Sequence, residues 1–123
     1  FSFNFVLLFF VGSAKKAKKI IWGMNFSQRQ AQNFGLSWKE TYSALLNDLK
    51  VKNLKLSVDW DLIEPEEGKY DFEDLDWQIN QAEKKGVKLI LVVGIKTPRW
   101  PECHIPAWAG NLDKREREKK VLG

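Results

Sequence analysis

The sequence has 123 residues, 44% of them hydrophobic and 29% charged, enough for one domain with a buried core. Lys and Arg number 20 against 16 Asp and Glu, a net charge of +4, and six Trp, eight Phe and two Tyr argue against a disordered tail. The lone Cys103 excludes a disulfide framework and a Cys-based zinc site within the chain, and with His104 as the one histidine a Ser-His-Asp triad or multi-His metal site is hard to assemble.

The chain opens on Phe1 rather than Met, which reads as a processed product or a piece of a longer gene product. Its unbroken apolar run, Phe5 to Val11, is too short for a bilayer span of about 20 residues. It fits the core of an export signal, with small Gly12 and Ala14 suiting cleavage after Ala14. A truncated membrane anchor and a buried strand are the alternatives. Residues 1–19 are therefore set apart as a leader or anchor remnant with a basic flank. This predicts a secreted or cell-envelope protein, with membrane contact, if any, through that segment.

Lys15, Lys16, Lys18 and Lys19 form that flank, and Lys114, Arg115, Arg117, Lys119 and Lys120 form a second basic run. Neither is interleaved with aromatics, and the second alternates with Glu116 and Glu118 as a solvated helix face does. No nucleic-acid partner is expected. Between the two runs, residues 20–113 hold 11 basic and 14 acidic residues, a net charge of −3.

A strand is predicted over Ile20 to Phe26. Ser37 and Glu40 have the spacing of a capping box, and Trp38, Tyr42, Leu45, Leu46 and Leu49 then recur at helical period. Leu54, Leu56, Val58 and Trp60 alternate with Lys55, Ser57 and Asp59, the period of a strand. Asp71 is a candidate cap for a helix with Phe72, Leu75, Ile79 and Ala82 inside, ended by Gly86. Val87 to Gly94 is nearly all apolar and reads as a parallel strand covered on both faces. A last helix is expected from Leu112 to Leu122.

The order is strand, helix, strand, helix, strand, with the second and third strands starting 33 residues apart at Leu54 and Val87. Such units imply an α/β fold with a parallel sheet and right-handed crossovers, either a (β/α)8 barrel or an open doubly wound sheet. No Gly-rich phosphate loop follows any strand, which disfavours a nucleotide-binding open sheet. The loops after the strands are instead polar and aromatic. Asn25, Ser27 and Gln28 follow the first; Trp60, Asp61 and Glu64 the second; Lys96, Arg99, Trp100, Glu102, His104 and Trp108 the third. Ligands of parallel α/β folds bind at the carboxyl ends of strands. Aromatic faces with carboxylates and amides suit sugars, whose CH faces stack while their hydroxyls hydrogen-bond.

The run from Trp60 to Asp76, W-x-x-I-E-P-E-E-G-x-Y-D-F-x-x-L-D, resembles the segment after the second strand in clan A glycoside hydrolases. It is closest to the N-terminal domain of family 42 β-galactosidases, and cellulase-like family 5 enzymes are similar. Lys85-Gly86, the third strand and Thr97-Pro98-Arg99-Trp100-Pro101 agree, so the resemblance covers roughly residues 20–110. It implies that residues 20–123 are the first three βα units of a (β/α)8 barrel. It also implies a retaining mechanism on an oligo- or polysaccharide, with no cofactor and two carboxyl groups about 5 Å apart.

In this clan the acid/base Glu follows the fourth strand in an Asn-Glu-Pro-like motif, and the nucleophile Glu follows the seventh. No Asn-Glu pair occurs in the sequence, so the catalytic pair is expected beyond Gly123 and this chain alone is expected to be inactive. The resemblance leaves sugar contact to Asn25, Trp60, Lys96 and Trp100, with Arg99 and His104 behind them. Glu64 beside Trp60 reads as structural, because Pro65 sets a rigid turn and holds Glu64 extended. His104, between Pro101 and Pro106, reads as a hydrogen-bonding loop residue rather than a metal ligand. One departure concerns the Arg that similar enzymes carry in the second strand. If Lys55 holds that place, a bidentate carboxylate contact is lost; otherwise Lys55 is a residue of the strand's solvent end. A non-catalytic carbohydrate-binding or degenerate barrel is the alternative function, and a small membrane-anchored basic protein a third.

Overall fold

The alternation of Leu54, Leu56 and Val58 with polar neighbours forms the central strand, β2 (Asn53–Asp59), and the three apolar side chains are buried. β1 (Met24–Phe26) and β3 (Lys88–Gly94) pair with it in parallel on either side, giving the order β1-β2-β3. The computed structural model describes residues 19–96 and 102–122. Residues 1–18, where the leader or anchor is expected, lie outside it.

Among the described residues five α-helices lie between and after the strands. Ser27 accepts a hydrogen bond from the Gln30 N–H at 3.2 Å and starts α1 (Gln28–Asn33). Ser37 does the same for the Glu40 N–H at 3.4 Å and starts α2 (Trp38–Asn47), the cap its spacing predicts. α3 (Trp60–Ile63) is one short turn after β2, and α4 (Glu73–Lys84) leads to β3. A single 3₁₀ turn (Ala107–Ala109) precedes α5 (Lys114–Leu122).

The end of α4 is a Schellman motif. Gly86 takes φ +63°, its N–H donates to the Glu83 carbonyl at 2.9 Å, and Val87 N–H donates to the Ala82 carbonyl at 3.0 Å. The glycine thus turns the chain straight from helix into strand.

The core lies on one face of the sheet, where Leu54 and Leu56 meet Tyr42, Leu46, Ala82 and Val87. Tyr42 sets its ring against Phe26 at 5.0 Å and donates its hydroxyl to the Gln78 carbonyl at 2.9 Å. Burial pushes the Tyr42 phenol up to about 12. Trp38 and Trp77 meet edge to face at 5.4 Å beside it. On the opposite face Asn25, Lys55 and Ile90 stand in register across the three strands.

Four expectations are corrected. The first strand starts at Met24, not Ile20; Ile20, Ile21 and Trp22 are exposed, and the Trp22 carbonyl accepts from the side chain of Asn53, the first residue of β2, rather than from its backbone. Leu49 lies outside the stripe. α2 ends at Asn47, the N–H groups of Asp48 and Leu49 both reach the Ala44 carbonyl, and Lys50 turns the chain at φ 50°. α4 begins at Glu73, with the Asp71 carboxylate accepting the Glu73 N–H at 3.0 Å from one residue further out. Gln78 and Ala82 are then its buried residues, while Phe72 stacks on Tyr70 in the exposed loop. Finally, β3 is the edge of the sheet among the described residues. Ile90, Leu91 and Val93 are exposed rather than covered, because side chains of a strand project to the sheet faces and the described residues leave both faces of β3 partly open.

Candidate functional site

Because all three strands run the same way, their carboxyl ends deliver three loops to one end of the sheet. Ser27 begins α1 directly after β1 and so places Arg29 in its first turn. Asp59 is the last residue of β2, and Asp61 lies in α3 immediately after it. The loop after β3 comes back on itself, with the His104 N–H donating to the Ile95 carbonyl at 2.8 Å.

Arg29 joins the first two of these loops. Its Nε donates to Asp59 Oδ2 at 3.0 Å, and its Nη2 donates to both oxygens of Asp61, at 2.7 and 2.8 Å. The Asp59 side chain is only 2% exposed and also accepts from Ser57 Oγ at 2.5 Å. A guanidinium shared by two carboxylates in a sheltered position is a strong, oriented contact. His104 brings a ring nitrogen within 4.8 Å of an oxygen of each aspartate. Its Nε2 is buried and makes no hydrogen bond, with Glu102 Oε2 at 3.5 Å. Asp59, Asp61 and His104 are the described residues whose spacing could hold a metal ion, but such an ion would compete with Arg29 for both carboxylates.

A second cluster fixes the loop after β2. Trp60 Nε1 donates to Glu64 Oε2 at 2.8 Å, and the Gly68 N–H donates to Glu64 Oε1 at 2.8 Å. Trp108 Nε1 donates to the Glu64 carbonyl at 3.0 Å, and the Trp108 ring meets that of Trp60 edge to face at 5.4 Å. Glu64 is thus a buried tie between helix, turn and the following loop, as the Pro65 turn predicts.

Of the residues read from the sequence as sugar contacts, Asn25 is exposed in β1 and Lys96 is exposed two residues beyond β3. Trp60 is 6% exposed, with its ring against Trp108. His104 joins Asp59 and Asp61. Arg99 and Trp100 lie outside the described residues. Lys55 is the third residue of β2, on the face opposite Leu54 and Leu56, between Asn25 and Ile90; it is not at a strand end. Arg29 was missed by sequence reasoning. It is the one basic residue between Lys19 and Lys39, three residues past the first strand and two past the helix cap Ser27, and the Asp59-Trp60-Asp61 pattern at the next strand end gives it acceptors.

The comparisons with known proteins bear on this arrangement. The profile of the glycoside hydrolase family 42, described as β-galactosidase, matches residues 30–118. No curated protein matches the chain. The matched stretch takes in the rest of α1 beyond Arg29, all of β2 and β3, both aspartates, Glu64, His104 and Trp108, and the chain belongs to the β-galactosidase family, glycoside hydrolase family 42.

Proposed function

We propose that the protein is a retaining, β-galactosidase-like glycoside hydrolase that cleaves O-glycosyl bonds in oligo- or polysaccharides. In this reading residues 20–123 supply the first three βα units of a (β/α)8 barrel. The observation that carries it is the family match over residues 30–118, falling on three parallel strands whose carboxyl ends gather polar loops.

The reaction needs a carboxylic acid to protonate the leaving oxygen and a carboxylate to attack the anomeric carbon. Glu64 is committed to Trp60 and Gly68, so it is not one of them. We place the pair beyond Gly123, in line with the absence of an Asn-Glu pair from the sequence. Asn25, Lys96, Arg99, Trp100 and His104 then line the glycone side. Trp60 shapes the wall from behind, through Trp108. Residues 1–19 act as an export leader or anchor and direct the protein to the cell envelope or outside; among the described residues no helix is long and apolar enough to cross a membrane.

The test is an assay of the full-length gene product on 4-nitrophenyl β-galactoside, with the β-glucoside and cello-oligosaccharides alongside for a cellulase-like preference. Saturable hydrolysis of the galactoside supports the proposal. Binding of galactosides with no hydrolysis of any aryl glycoside would replace it with a carbohydrate-binding barrel.

A further inference from the structure

Arg29 does more than neutralise charge. It reaches from the loop after β1 to the last residue of β2 with one nitrogen and to Asp61 with another, across 30 and 32 residues of sequence. Asp59 is the anchor: it is 2% exposed and held a second time by Ser57. Asp61 differs, with its side chain 26% exposed at the open end of the sheet. Both of its oxygens accept from the same Nη2, which fixes the plane of the carboxylate.

An ionised carboxylate has about four acceptor positions, and Arg29 takes one on each oxygen. The remaining lone pairs are free of Arg29, and a ring nitrogen of His104 lies within 4.8 Å of an Asp61 oxygen without bonding it. A rigidly oriented acceptor about a quarter exposed, beside an imidazole, is the chemistry that recognises a sugar hydroxyl, which both donates and accepts. The other side of α3 is pinned by the Glu64 tie to Trp60 and Gly68, so both ends of the four-residue helix that carries Asp61 are fixed.

We propose that Asp61 is a specificity-determining residue that accepts a hydrogen bond from one hydroxyl of the substrate sugar, and that Arg29 is the positioning residue that presents it. The inference rests on the glycosidase reading and adds to it a named contact and the residue that orients it. The loss expected on removing a charged acceptor for one substrate hydroxyl is about 10- to 100-fold in kcat/KM. That loss is selective: it vanishes for a substrate that lacks the hydroxyl in question.

The experiment uses the full-length gene product, its Asp61→Asn and Arg29→Lys variants, and 4-nitrophenyl β-galactoside with the set of its monodeoxy analogues. Asp61→Asn is expected to lower kcat/KM on the parent about 10- to 100-fold and to leave one monodeoxy substrate within a factor of about three of wild type. Arg29→Lys keeps the charge but not the two-point clamp, and is expected to show the same pattern at smaller size. Asp61 lies at the rim and carries the test should Arg29→Lys fail to fold. A wild type that hydrolyses the galactoside while Asp61→Asn loses activity evenly on every substrate, or none at all, overturns this inference alone. A folded wild type that hydrolyses no aryl glycoside overturns it together with the proposed function.

Discussion

Replacing Glu64 tests how the loop after the second strand is held. The residue is 4% exposed and its carboxylate accepts two hydrogen bonds, from the Trp60 indole and the Gly68 N–H, each at 2.8 Å. Hydrogen bonds to a charged group contribute about 1.5–3 kcal/mol apiece. Glu64→Ala removes both acceptors and leaves the Trp60 donor buried, a loss of about 3–5 kcal/mol. Glu64→Gln keeps the shape but one oxygen only, so the amide NH2 faces a donor; about 1–3 kcal/mol is expected. Urea unfolding of the full-length protein followed by tryptophan fluorescence reads these losses. Near-ultraviolet circular dichroism reports the Trp60–Trp108 pair, whose centroids lie 5.4 Å apart. The graded order wild type, Gln, Ala is the expected result. A Glu64→Gln protein with an unchanged unfolding midpoint and abolished hydrolysis would refute the reasoning, because Glu64 would then be acting on substrate.

Three further outcomes follow from the fold. Tyr42 is pushed from 10.0 to about 12 by burial, so the folded state holds its proton where the unfolded state releases it. Its contribution of roughly 3 kcal/mol is present below pH 10 and is lost as the pH rises through 12; alkaline unfolding that is shallower between those values in Tyr42→Phe than in wild type checks this. Gly86→Ala places a Cβ at φ +63°, where no atom lies within 4 Å, so the cost is conformational alone, about 1 kcal/mol in thermal unfolding. Residues 20–123 expressed alone should be inactive and self-associate through the apolar edge of β3, where Ile90 and Val93 are 63% and 65% exposed. A monomer with cooperative thermal unfolding would contradict that last outcome.

The parts of the molecule legible in the sequence are those fixed locally. The strand period of Leu54 to Val58, the Ser37 cap and the Gly86 stop each depend on a few neighbouring residues, and each stands where expected. Glu64 was readable as structural because Pro65 constrains its backbone. The Arg29 clamp was not readable, since it depends on which strand ends lie side by side, and its partners are 30 and 32 residues away. The face of α4 was legible in part: Ala82 is buried and Leu75 and Ile79 are half-buried as expected, but Phe72 lies outside the helix and the polar Gln78 shares the inner face, where Tyr42 donates to its carbonyl and its own side chain donates to Gln28 at 3.2 Å. The apolar run of β3 reads as a strand, and it is one, but it is not covered on both faces as expected: burial depends on elements packed over the faces, which a run of apolar residues does not reveal.

The central claim is that this family 42 chain belongs to a working retaining glycosidase. The most direct measurement is proton NMR of 4-nitrophenyl β-galactoside with the purified full-length gene product. Release of 4-nitrophenol with β-galactose as the first-formed product is the predicted result. A folded protein that releases nothing from this or any other aryl glycoside, or that first releases the α-anomer, would contradict it.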